Sequence, residues 1–137
     1  MKVFLDTNVL VSAFATRGLC ADVLRQVLAE HELLVGERVL REVGRVLRAK
    51  LRVPQPVIDE IEQFLRTQTV VAATGTRATA KVRDANDTRI LAEAVAGGAD
   101  VLVTGDRDLL DFADRSPLRI VTPRGFWELL KAGPTEK

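Results

Sequence analysis

The chain of 137 residues holds one cysteine, one histidine and no tyrosine, and only 4% of it is aromatic. Each scarcity removes a class of function. With Cys20 as the only thiol there is no intramolecular disulfide and no zinc site built on several cysteines. Its neighbours Leu19, Ala21, Val23 and Leu24 assign it as a buried thiol at a helix start. A Ser-His or Cys-His engine has one possible base, His31, and that residue stands in a polar Glu-His-Glu stretch at the expected end of a helix. So few aromatic side chains make a broad base-stacking platform unsuited to this chain. The formal net charge is +1, so any nucleic-acid surface is a local patch and not a property of the whole molecule. No apolar run approaches the roughly 20 residues of a membrane span. The opening Met1-Lys2 and the later Ala13-Phe14-Ala15 faintly resemble a secretion signal, but Asp6 and Asn8 interrupt the apolar run. The expected location is the cytoplasm, with no membrane partner.

What is present is a repeated alternation of a short apolar run and a helical pattern, without internal repeats. Val3-Phe4-Leu5, Leu33-Leu34-Val35, Val70-Val71-Ala72, Val101-Leu102-Val103 and Ile120-Val121 read as strands. Residues 19–28, 38–51, 57–65, 86–96 and 123–130 read as helices, with Pro54, Gly97-Gly98 and Gly133-Pro134 as stops. Thr74 to Arg83 reads as loop. Strands apolar on both faces and separated by helices imply an α/β fold with a covered parallel sheet. One domain over residues 1–131 is expected, with 132–137 as a short tail. Ligands of such sheets bind at the carboxyl ends of the strands.

Acidic residues collect at those ends. Asp6 directly follows the first strand, and Asp106 follows the fourth within Thr-Gly-Asp. Asp87 extends the apolar stripe of Ile90, Leu91, Ala94 and Val95 toward the helix N-terminus, and Asp84 is placed to cap that helix. Glu42 falls on the flank of the stripe formed by Val39, Leu40, Val43, Val46 and Leu47. Arg38, Arg41, Arg45, Arg48 and Arg52 are expected on the opposite, solvated side. Taken singly, these acids also read as helix caps, turn residues or surface charges. Taken together without a lysine nearby, they repel one another and raise each other's pKa values until a cation neutralises them. All-oxygen ligands favour Mg²⁺ or Mn²⁺ over zinc.

Several segments resemble PIN domains. These are Val3-Phe4-Leu5-Asp6-Thr7-Asn8-Val9-Leu10, Leu40-Arg41-Glu42-Val43, and Asp84-Ala85-Asn86-Asp87 with Ile90-Leu91. Ala99 through Leu110 and Ile120-Val121-Thr122-Pro123 complete the set. The resemblance implies a three-layer α/β/α fold with a five-stranded parallel sheet of order 3-2-1-4-5. It implies Asp6, Glu42, Asp87 and Asp106 as catalytic metal ligands, Mg²⁺ or Mn²⁺ in one or two ions per site, and cleavage of single-stranded or structured RNA. It further implies kinship with VapC-like toxins, which pair with an antitoxin protein and often form homodimers. Asn8, Thr104, Asp84 and Asp108 are the expected supporting residues. Arg17, Arg77, Lys81, Arg83 and Arg107 are the expected RNA contacts. Trp127 is assigned to core packing with Phe126, Leu129 and Leu130.

Three other readings have a distinguishing feature each. An aspartyl-nucleophile phosphatase or dehalogenase wants a second aspartate where Asn8 stands and a lysine in the last loops. A phosphoacceptor signalling domain wants a lysine after the fifth strand, where Thr122-Pro123-Arg124 supplies none. A catalytically silent PIN-like module that only binds RNA or protein shares every residue discussed and is separated only by assay.

Overall fold

The computed structural model describes residues 1–72 and 84–132. Five strands alternate with helices. In chain order they run β1 (Lys2–Leu5), α1 (Thr7–Ala15), α2 (Leu19–Glu30), β2 (Glu32–Gly36), α3 (Glu37–Ala49), α4 (Gln55–Arg66) and β3 (Thr69–Val71). After these come α5 (Ala85–Ala96), β4 (Val101–Val103), α6 (Arg107–Asp111), a 3₁₀ turn (Ala113–Arg115), β5 (Arg119–Val121) and α7 (Pro123–Ala132). All pairings are parallel and the order is β3-β2-β1-β4-β5, as expected from the sequence. The chain thus begins at the centre of the sheet. Val3, Phe4 and Leu5 are fully buried, and Val101, Leu102 and Val103 nearly so, because both faces of these strands are covered.

The sequence reading lacked α1 and α6. The first carries Thr7-Asn8-Val9-Leu10-Val11-Ser12-Ala13-Phe14-Ala15, a near-continuous apolar run without helical periodicity, because Val9, Leu10 and Val11 are all buried. The second is five residues long, too short for any periodic signal. The expected loop at 74–83 lies outside the described residues, apart from which the remaining boundaries differ from expectation by a few residues at most.

The end of β2 is tight. A Cβ on Gly36 would stand 2.3 Å from Glu93 Oε1 and 2.8 Å from Phe4 Cζ. Glycine is needed here for space, and its φ of −76° is unstrained. Gly36→Ala is therefore expected to cost about 1–3 kcal/mol through overpacking, read as a lowered midpoint in urea unfolding.

Candidate metal centre

The register of β1 on β4 places Leu5 beside Val103, so the residues that follow both strands emerge side by side. The Asp6 N–H continues the ladder by donating to Val103 O at 3.0 Å. One Asp6 carboxylate oxygen accepts the Thr104 hydroxyl at 2.6 Å, and the other accepts the Thr7 N–H at 2.7 Å. The Thr104 hydroxyl in turn accepts the Asp106 N–H at 2.9 Å. One threonine thus ties the two strand-end aspartates together. Burial pushes the Asp6 carboxyl above its usual range; the Thr104 and Thr7 donors oppose that, and the charges of Asp106 and Glu42 add to it.

Asp106 and Asp84 do the same local work on different helices. Asp106 Oδ1 accepts the N–H groups of Asp108 and Leu109 at 2.8 and 3.3 Å, capping α6. Asp84 Oδ1 accepts those of Asn86 and Asp87 at 2.8 and 3.2 Å, capping α5. Asp84 caps its helix as expected, Asp106 caps one where a turn residue was the alternative, and both caps sit on one rim. Asp87, only 6% exposed, lies against Asp106. Desolvation first, then a hydrogen bond shared with Asp106 and the charges of Asp106, Asp84 and Asp6, push its carboxyl up to about 7.

Glu42 enters from α3. Its Oε1 accepts the Thr7 hydroxyl at 2.8 Å and its Oε2 accepts the Asn86 side-chain amide at 2.8 Å. These two donors were missed as orienting residues, although both stand inside the motif segments. Asn8, expected in that role, is exposed, and its side chain makes no hydrogen bond among the described residues. Because α1 begins at Thr7, it is Thr7 that turns inward and Asn8 that turns to solvent.

The acids expected as one ligand set, Asp6, Glu42, Asp87 and Asp106, are electrostatically coupled. Among the described residues the group with carboxylate oxygens mutually within 4.8 Å is Asp84, Asp87 and Asp108. Two acids placed as supporting residues, Asp84 and Asp108, therefore stand within a metal's reach of Asp87, which also contacts Asp106. None of the six carboxylates pairs with a basic side chain among the described residues. An all-oxygen donor set without a counter-ion has the chemistry of a hard divalent cation site. Of the expected RNA contacts, Arg17 is exposed in the turn before α2 and Arg107 is exposed at the first position of α6; Arg77, Lys81 and Arg83 lie outside the described residues. The single histidine, His31, follows α2 and takes its place at the N-terminal amine, remote from the acids in this chemistry.

Thr104→Val tests the link between the two strand-end aspartates. It is expected to weaken Mn²⁺ binding by on the order of 10- to 100-fold, because Asp6 loses an orienting donor. Isothermal titration with MnCl₂ reads the change directly.

A three-layer parallel α/β fold with a rim of acids at its strand ends defines the class. A family model described as PIN domain matches residues 2–108, and the chain belongs to the PIN-domain family, a family of nucleases. No curated protein matches it in sequence. Among solved structures it is similar to a chain of VapBC2 from Rickettsia felis, determined bound to a DNA fragment from their promoter. The TM-score is 0.64 and the identity 19%, over 89% of this chain and 98% of that one. At that identity the likeness concerns the fold.

Proposed function

We propose that this chain is a divalent-metal-dependent ribonuclease that hydrolyses phosphodiester bonds, and that it serves as the toxin of a toxin–antitoxin pair. The observation that carries the first part is the convergence of Asp6, Glu42, Asp84, Asp87, Asp106 and Asp108 at one end of the sheet without a basic partner among the described residues. Fixed repulsion of that kind disfavours the folded state unless a cation relieves it. Mg²⁺ or Mn²⁺, as one ion or two, supplies charge stabilisation at phosphoryl oxygens and acidifies water when bound.

The chain's own residues do the rest. Asp6, Asp87 and Asp106 would hold the cation, with Glu42 from α3 and with Asp84 and Asp108 as further acids of the same rim. Thr104, Thr7 and Asn86 fix the directions of the carboxylates through the hydrogen bonds given above. Arg107 and Arg17 stand exposed to take backbone phosphates, and the sequence assigns the same role to Arg77, Lys81 and Arg83, which lie outside the described residues. Sparse aromatics favour recognition of backbone and shape over extensive base stacking.

The likeness to a VapBC2 chain supports an antitoxin partner for the second part; an antitoxin segment over the acidic rim, a homodimer and a cytoplasmic location complete the proposal. Incubation of single-stranded and structured RNA with the protein, with MnCl₂ and with EDTA, tests the enzyme. Cleavage leaving 5′-phosphate ends only when the metal is present is expected. RNA binding without cleavage under every metal condition would instead make the chain a silent binding module.

A further inference from the structure

Glu93 is the one charged side chain of α5 that is completely buried, and the acidic rim does not use it. On a helix it falls beside Ile90 and on the same face as Asn86, seven residues earlier, so it points toward the sheet and α3. Its Oε1 occupies the space that a side chain on Gly36 would fill. Gly36 is the N-cap residue of α3 and provides no side-chain acceptor for the first N–H groups of that helix. The Glu93 carboxylate faces that helix end. The Arg38 amide lies in its field, and Arg38 Nε stands 3.5 Å from Oε2, with no standard hydrogen bond to either oxygen. Arg38 itself is half-buried and not on the solvated face expected for it. It sits one turn before Glu42 and beside it, whereas Arg41, Arg45, Arg48 and Arg52 are exposed.

A buried ion pair with incomplete hydrogen bonding is a poor source of stability, since apolar groups of the same volume serve as well or better. Its position gives it another use. The carboxylate, with its negative charge, complements the positive end of α3 that Gly36 leaves uncapped. Two cross-links then join α3 to α5: the Asn86–Glu42 hydrogen bond at the rim, and the Arg38–Glu93 pair one turn of α3 behind it.

We propose that Glu93 is a positioning residue for the acidic rim: it caps the first turn of α3 in place of a side chain at Gly36 and, paired with Arg38, holds the helix that carries Glu42 against the helix that carries Asp87. The consequence for turnover rests on the ribonuclease reading; the consequence for α3 does not.

Two variants test it. Glu93→Ala removes the carboxylate. Glu93→Gln keeps the shape and an acceptor oxygen but not the charge, and it remains informative if the alanine variant folds poorly. Amide hydrogen exchange of the intact chain is expected to speed up roughly fivefold at Arg38, Val39 and Leu40 in Glu93→Ala, and less in Glu93→Gln. For Mn²⁺-dependent RNA cleavage well below the Tm, kcat is expected to fall on the order of tenfold in Glu93→Ala with KM unchanged, and to recover in part in Glu93→Gln. Unchanged exchange at the start of α3 overturns the capping role. A lowered Tm with kcat unchanged in the folded protein reduces Glu93 to a packing residue and overturns the positioning role. If the wild type cleaves no RNA, the ribonuclease reading fails, and the exchange data alone decide the claim about α3.

Discussion

Replacing Asp6 by asparagine is expected to lower metal-dependent RNA cleavage at least about a thousandfold, which corresponds to roughly 4 kcal/mol of lost transition-state stabilisation. Asp6 is buried at the end of the central strand, and both of its oxygens are already oriented by Thr104 and Thr7. An amide in that position keeps most of the shape and loses the charge that a cation requires. The fold should survive, because Asp6 contributes a cap to α1 that asparagine can also provide. Asp106→Asn is expected to behave alike for the same reason, its cap on α6 being preserved. Circular dichroism together with the cleavage assay separates lost chemistry from lost structure. Full activity in the Asp6→Asn protein would remove Asp6 from the site.

The second large effect is on stability without metal. The Asp87 carboxyl titrates near 7 in the folded protein, against a usual value of 3.8. Between those values the folded state binds more protons than the unfolded state. The contribution of Asp87 to stability is therefore fully present below about pH 4 and is lost as pH rises through about 7. The raised Asp6 carboxyl acts in the same direction. Asp87 should account for a loss on the order of 2–3 kcal/mol across that window in EDTA. Asp87→Asn should flatten the slope and be the more stable protein at pH 7.5 under those conditions. Added Mn²⁺ should reverse the order by stabilising only the wild type through binding to its folded state. Thermal unfolding at pH 5 and pH 7.5, with EDTA and with MnCl₂, gives the four values needed. A wild type whose metal-free Tm is the same at both pH values would deny the Asp87–Asp106 contact.

Much of this was legible in the residues. The central strands are unbroken apolar triplets because both sheet faces are covered, and that gave the parallel α/β class; the order 3-2-1-4-5 came with the PIN resemblance and is the order observed. Asp6, directly after a buried strand, and Asp106, three residues after another, were legible because a charged residue at the end of a buried strand has only the rim to occupy. Asp87 was legible from helical phase, as the polar extension of the stripe through Ile90, Leu91 and Ala94.

Other features depend on geometry between distant segments. That Thr7 and Asn86 share Glu42 follows from how α1, α3 and α5 meet, and no spacing along one segment encodes it. The closeness of Asp84 and Asp108 to Asp87 depends likewise on two helix caps facing each other. Arg38 is expected with its fellow arginines on the solvated face of the helix, yet it stands one turn before Glu42 and is half-buried. Glu93 offered a faint signal: an acid one position before Ala94 on an apolar face, matched by a glycine where a helix wants a capping side chain. Neither half of that signal has meaning until Gly36 and Glu93 are brought together.

The central claim is that acids far apart in the chain hold a common divalent cation. Anomalous diffraction from a crystal soaked in Mn²⁺ measures it most directly. The expected result is strong anomalous density at the carboxyl ends of β1 and β4, about 2.2 Å from oxygens of Asp87 and at least one of Asp6 and Asp106. A fully soaked crystal with no Mn²⁺ among these carboxylates, or with Mn²⁺ bound only elsewhere on the surface, would contradict it.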